Sequence, residues 1–119
     1  MRPSDLHERR VAQLEAELPD FTRREFRAAV CRRLGARLRD GWPCQIVPDG
    51  FVFDDDAREI HCYEVGHTVF LADARCNHHA AKKVARYGAL ARFVAGRSDW
   101  RLRVFETAAC GSVPWEISL

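Results

Sequence analysis

The sequence predicts an α/β (α+β) fold, a small mixed β-sheet flanked by helices. Three patterns predict it: helical apolar spacing in the first 39 residues, a hairpin over 48–68, and an amphipathic stretch from Asn77 followed by strict alternation to Thr107. At 119 residues, 47% apolar and 30% charged, the chain suits a single globular domain, 1–119. That domain has a helical N-terminal part over 1–39 and a hairpin–helix–strand core over 44–107.

The first helix is expected over Ser4–Leu18, with Leu6, Val11, Leu14 and Leu18 as its apolar stripe. Pro19-Asp20 ends it. Thr22-Arg23-Arg24-Glu25 matches a capping box, in which the threonine side chain and the glutamate satisfy each other's backbone donors. A second helix follows to about Arg39, with Phe26, Val30, Leu34 and Leu38 four residues apart. Gly41 suits its C-cap region. Cys44–Val47 is either a short strand or the approach to Pro48.

The hairpin is the organising stretch. Phe51-Val52-Phe53 and Glu59 to Val65 are rich in aromatic and β-branched residues, and Asp54–Ala57 is turn-like. Pro48 suits a strand's start because it has no N–H for a ladder. Ile60, Cys62 and Glu64 share one face by the period of two. Glu64 therefore follows two apolar residues onto a face that should be buried. A buried carboxylate needs a cation, a donor or a metal, and the hairpin can bring Asp49 close to it.

Val69-Phe70-Leu71 continues the strand or opens a loop, and Asp73–Cys76 is a connector. Asn77 is a good N-cap for a third helix, which Gly96 should stop. Its stripe is Val84, Tyr87, Leu90, Ala91 and Val94. Trp100, Leu102 and Val104 then alternate with Arg101, Arg103 and Phe105, as in a strand. Val113–Ile117 suits a last edge strand. Trp42, Trp100 and Trp115 are expected in the core or at its rim.

Charge is unevenly distributed. Residues 1–39 carry ten Arg against six acids (+4), residues 49–64 six acids against one Arg (−5), and residues 82–103 seven Lys/Arg against one Asp (+6). An acidic centre between basic segments suits a metal-dependent enzyme acting on a polyanion, and equally suits ordinary solvated faces. No apolar run reaches a membrane span. The charged N-terminus, without a signal-peptide core, and five scattered cysteines imply a cytoplasmic protein with reduced thiols.

Pro48-Asp49, the strand pair carrying Tyr63-Glu64-Val65, and the basic helix and strand that follow resemble the PD-(D/E)XK nuclease superfamily, over roughly residues 22–107. The resemblance implies a restriction-endonuclease-like core and Mg²⁺ (or Mn²⁺) held by Asp49 and Glu64. It also implies a lysine two residues past Glu64 that helps activate water. That position is Gly66. Some members carry the lysine on the following helix, which makes Lys82 or Lys83 the counterpart, with His67 a poorer substitute. An acid on the helix before the sheet is common in the family, and Glu25 is the candidate. Each acid also has an ordinary role open to it: Asp49 in a turn, Glu64 in a salt bridge, Glu25 in a cap.

The implied function is Mg²⁺-dependent hydrolysis of DNA phosphodiester bonds, with DNA along Arg23, Arg24, Arg27, Lys82, Lys83 and Arg86. Gly66 motivates an alternative, a catalytically inactive protein of the same fold that binds nucleic acid or a protein partner, as a phage or defence accessory factor would. A homodimer is compatible with either. A third reading is a zinc-stabilised module using four of His61, Cys62, His67, Cys76, His78 and His79.

Overall fold

The computed structural model describes residues 3–66, 71–73 and 77–119. The elements are helix α1 (Pro3–Glu17), helix α2 (Phe26–Leu34), strands β1 (Gly50–Asp54) and β2 (Glu59–Gly66), helix α3 (His78–Arg97), and strands β3 (Arg101–Ala108) and β4 (Trp115–Ile117). They form one four-stranded mixed sheet in the order β1-β2-β3-β4. β1 and β2 are antiparallel, β2 and β3 parallel, and β3 and β4 antiparallel. The parallel pair needs a long crossover, and α3 supplies it.

Helices cover both faces. On one, Val11 and Leu14 of α1 pack with Tyr63, Val65 and Ala109. On the other, Phe26 and Val30 of α2 and Tyr87, Leu90 and Val94 of α3 pack with Ile60, Cys62, Leu102 and Val104. The period of two divides each central strand between these two cores. A buried guanidinium ties α1 down: Arg10 donates to the Thr107 hydroxyl (Nε 3.2 Å, Nη2 3.0 Å) and to the Ser112 carbonyl (2.6 Å).

Several boundaries differ from the sequence reading. The capping box does not form. Thr22 instead exchanges two backbone hydrogen bonds with Phe51, at 3.0 and 2.9 Å, and so covers part of the β1 edge. Its hydroxyl donates to the Asp20 carbonyl at 3.1 Å. Glu25 takes the N-cap position of α2 in left-handed backbone (φ 60°), with no side-chain cap bond. α2 ends at Leu34 because Gly35 adopts φ 127°, a conformation that breaks the helix and favours glycine. Leu38 still reaches the core, through a 3-10 turn over Ala36–Arg39.

Cys44–Val47 forms no strand and is the approach to Pro48. α3 runs through Gly96 to Arg97, and its C-cap is Ser98, whose hydroxyl donates to the Val94 carbonyl at 2.7 Å. Its start is as expected, with Asn77 Oδ1 accepting from the backbone of His79 (3.0 Å) and Ala80 (3.2 Å). Val69, Phe70 and residues 74–76, which the sequence assigns to a strand continuation and a connector, lie outside the described residues. Trp100 is buried, and Trp42 and Trp115 pack at the margin of the same core. No helix among the described residues is long and apolar enough to cross a membrane.

Among the described glycines, Gly50 has the least room for a side chain. A Cβ there would lie 1.9 Å from Cζ of Phe21, whose ring packs on Tyr63 with centroids 5.9 Å apart. Gly50→Ala must displace that ring and is expected to cost about 1–3 kcal/mol in urea unfolding. Adding Phe21→Ala should recover part of the loss through shared space. Strict additivity of the two substitutions would contradict this packing.

Candidate metal and nuclease site

Register brings the two sequence-predicted acids together. Gly50 pairs with Tyr63, and the Asp49 amide donates to the Tyr63 carbonyl at 3.0 Å. Asp49 therefore stands beside Glu64 at one end of the hairpin. Asp49 Oδ2 accepts from the Val65 amide at 2.8 Å, and Oδ1 lies 3.2 Å from Nε2 of His7 on α1.

Glu64 is buried beneath α3, only 6% exposed. Lys83 and Tyr87 are one helical turn apart, so both face it. Lys83 Nζ donates to Oε2 at 2.9 Å, and the Tyr87 hydroxyl donates to Oε1 at 2.5 Å. Burial pushes the Glu64 carboxyl above its ordinary range. The Lys83 charge and the Tyr87 hydrogen bond oppose that shift, and the Asp49 charge adds to it. Burial and the neighbouring Glu64 push the Tyr87 hydroxyl well above its usual value, which keeps it a donor.

The remaining sequence candidates divide. Lys83 joins the acids, whereas Lys82 is exposed to solvent. Glu25 is exposed, and its ion-pair partner is Arg32, at 3.9 Å; it is not part of the Asp49–Glu64–Lys83 group. Arg23 and Arg24 line the cleft that contains His7 and Asp49, and Arg23 also bonds Glu8 at 2.7 Å. Arg27 donates to the Arg39 carbonyl at 2.7 Å and lies over Trp42. Arg86 is exposed on α3. His67 and Cys76 lie outside the described residues. His61 and Cys62 sit on opposite sheet faces, and Cys62 is fully buried, so these two neighbours cannot share one zinc ion. Cys31, Cys44, Cys62 and Cys110 are free thiols.

Three further side chains stand at this end of the sheet, and the sequence marks them unequally. Glu106 repeats the Glu64 pattern, an acid after Leu102 and Val104 on one face. It pairs with Glu64 in the parallel register and is 1% exposed. It accepts from the Leu71 amide (2.7 Å) and the Trp115 indole (3.1 Å). Tyr87 was legible only as part of an apolar stripe. Nothing local marks His7, whose partner is 42 positions away in the chain.

A second acidic group, Asp54, Glu59 and His61, has ligand atoms within 4.8 Å of one another. It lies at the turn end of the hairpin, about 17 Å along the strand from Asp49. Glu59 there already bonds His61 (2.9 Å) and Arg103 (3.1 Å). Comparison of the chain with family models, curated proteins and solved structures finds no match.

The raised Glu64 carboxyl has a pH signature. The folded protein holds this proton more tightly than the unfolded chain does. Its contribution is therefore fully present below the ordinary carboxylate range and is lost as pH rises through that range to the folded value. Glu64→Gln keeps an oxygen acceptor and removes the buried charge. Its stability relative to wild type should rise from pH 4 to pH 8 in chelator-containing buffer, measured by urea unfolding. A difference that falls with pH would contradict the assignment.

Proposed function

We propose that the chain is a divalent-metal-dependent nuclease of the PD-(D/E)XK type that hydrolyses DNA phosphodiester bonds. The observation carrying this reading is the convergence of Asp49, Glu64 and Lys83 on one end of the sheet. Two carboxylates offer oxygen donors, which hard cations such as Mg²⁺ and Mn²⁺ prefer. The chemistry of the set fits as well: two carboxylates stand side by side in a partly buried place, with Lys83 on one and His7 on the other.

Asp49 and Glu64 would hold the ion, which supplies Lewis acidity and a more acidic bound water. The Val65 amide fixes the Asp49 carboxylate, and Tyr87 fixes that of Glu64, so neither acid has to be oriented during reaction. Lys83 is the ammonium that would orient the attacking water and stabilise charge developing on the phosphate. Its place on α3 answers the loss of lysine at position 66. Arg23 and Arg24, beside Asp49, would meet the flanking phosphates.

Incubation with plasmid and with single-stranded DNA in Mg²⁺ or Mn²⁺ tests the reading. Wild type should cleave, and Asp49→Ala and Glu64→Gln should not. Lys83→Ala should lower the rate by roughly 10²–10³, while Lys82→Ala leaves it near wild type. Absence of cleavage by wild type, or equal cleavage by Asp49→Ala, rejects the proposal. The inactive-fold alternative draws support from Gly66 and from the full engagement of Glu64 by Lys83 and Tyr87. It predicts salt-dependent DNA binding that needs no metal and no cleavage by any variant.

A further inference from the structure

An open cleft of about 860 Å³ lies between α2 and the segment leading to Pro48. Phe26, Trp42 and Ile46 form its apolar floor, and Arg27, Arg32 and Arg39 stand at its rim. Among the described residues, Glu25 is the one carboxylate that lines it. Val47 lines this cleft and also the neighbouring one that holds Asp49, Arg23 and Arg24. Val47 is 69% exposed, one of the few large apolar side chains so open to solvent. The two clefts therefore adjoin across Val47, and the apolar one leads to the candidate metal site.

We infer that this path holds single-stranded nucleic acid, with bases against Val47 and the Arg27 guanidinium that lies over the Trp42 ring, and phosphates against Arg32 and Arg39. The inference deepens the nuclease reading and rests on it for the place of the bond that is cut. Charge complementarity supports a polyanion: three guanidiniums face one carboxylate, and Arg39 has no ion-pair partner among the described residues. The floor selects the strand form. Unpaired bases present faces that stack on aromatic and apolar side chains, whereas a duplex keeps its bases stacked on each other. The concave, apolar floor suits the first and offers the second little beyond rim contacts. Continuity with the Asp49 cleft gives the strand a direction, from the Arg-rich cleft over Val47 toward Asp49 and Glu64.

Fluorescence anisotropy in chelator, so that nothing is cut, tests the inference. The probes are labelled oligothymidylate, oligouridylate and a blunt duplex of equal length. Either single strand, or both, should bind at least about tenfold tighter than the duplex, with affinity falling as salt rises. Arg32→Glu combined with Arg39→Glu should weaken single-strand binding by about tenfold or more. Val47→Asp should do the same, through lost apolar contact and added repulsion. All three residues are on the surface, and unchanged unfolding midpoints confirm that the fold persists. Binding without cleavage in Mg²⁺ or Mn²⁺ would reject the nuclease reading and leave this one standing. Equal or tighter binding of the duplex, or single-strand binding unaffected by all the cleft variants, overturns it.

Discussion

The structure depends on how one buried carboxylate is accommodated. Glu64 sits in the core-facing row of β2 behind Ile60 and Cys62, under α3. An uncompensated charge in that place is costly. Lys83 and Tyr87 take one oxygen each, so the helix is pinned over the sheet at its Asp49 end. The neighbouring Asp49 adds a second negative charge, itself held by the Val65 amide and His7. Among the described residues no buried side-chain polar atom is left without a hydrogen-bond partner, and the two carboxylates stand side by side. Under the proposed reading, a divalent cation would bridge these two carboxylates.

The position of the ammonium follows from sheet geometry. A residue two places beyond Glu64 on β2 shares its face, and that residue is Gly66. α3 covers the same face and passes over the same end of the strand. A lysine in its second turn thus reaches the Glu64 carboxylate on that face. Lys82, one position earlier on the helix, is turned away by about 100° and stays in solvent. One helix position therefore separates a lysine that bonds Glu64 from a solvated one.

Much of this was legible in the chain, for identifiable reasons. Periods of 2 and 3.6 located the hairpin, α3 and β3, and the Asn77 cap needed only local chemistry. Glu64 was visible because an acid interrupted an apolar row. Glu106 interrupts its row in the same way and shows that the rule finds burial before it finds function: its oxygens serve a backbone amide and an indole. Other features were not local. Thr22 matches a capping box, but its backbone is drawn to the β1 edge, and tertiary pairing overrides the cap. The stripe through Leu34 and Leu38 suggested one helix, whereas the φ of Gly35 divides it. His7 reaches Asp49 only after α1 has packed on the sheet, held there by Arg10, Thr107 and Ser112. No spacing in the sequence announces such a contact.

The central claim is that Asp49 and Glu64 form one divalent-cation site, and metal binding measured apart from catalysis tests it most directly. Isothermal titration of Mn²⁺ into the chelator-stripped protein should show one site in wild type. That site should be lost in Asp49→Ala and in Glu64→Gln, and should be retained when Glu59 at the far end of the hairpin is changed to Gln. Mn²⁺ binding unaffected by Asp49→Ala and Glu64→Gln, or no binding to wild type, would contradict it.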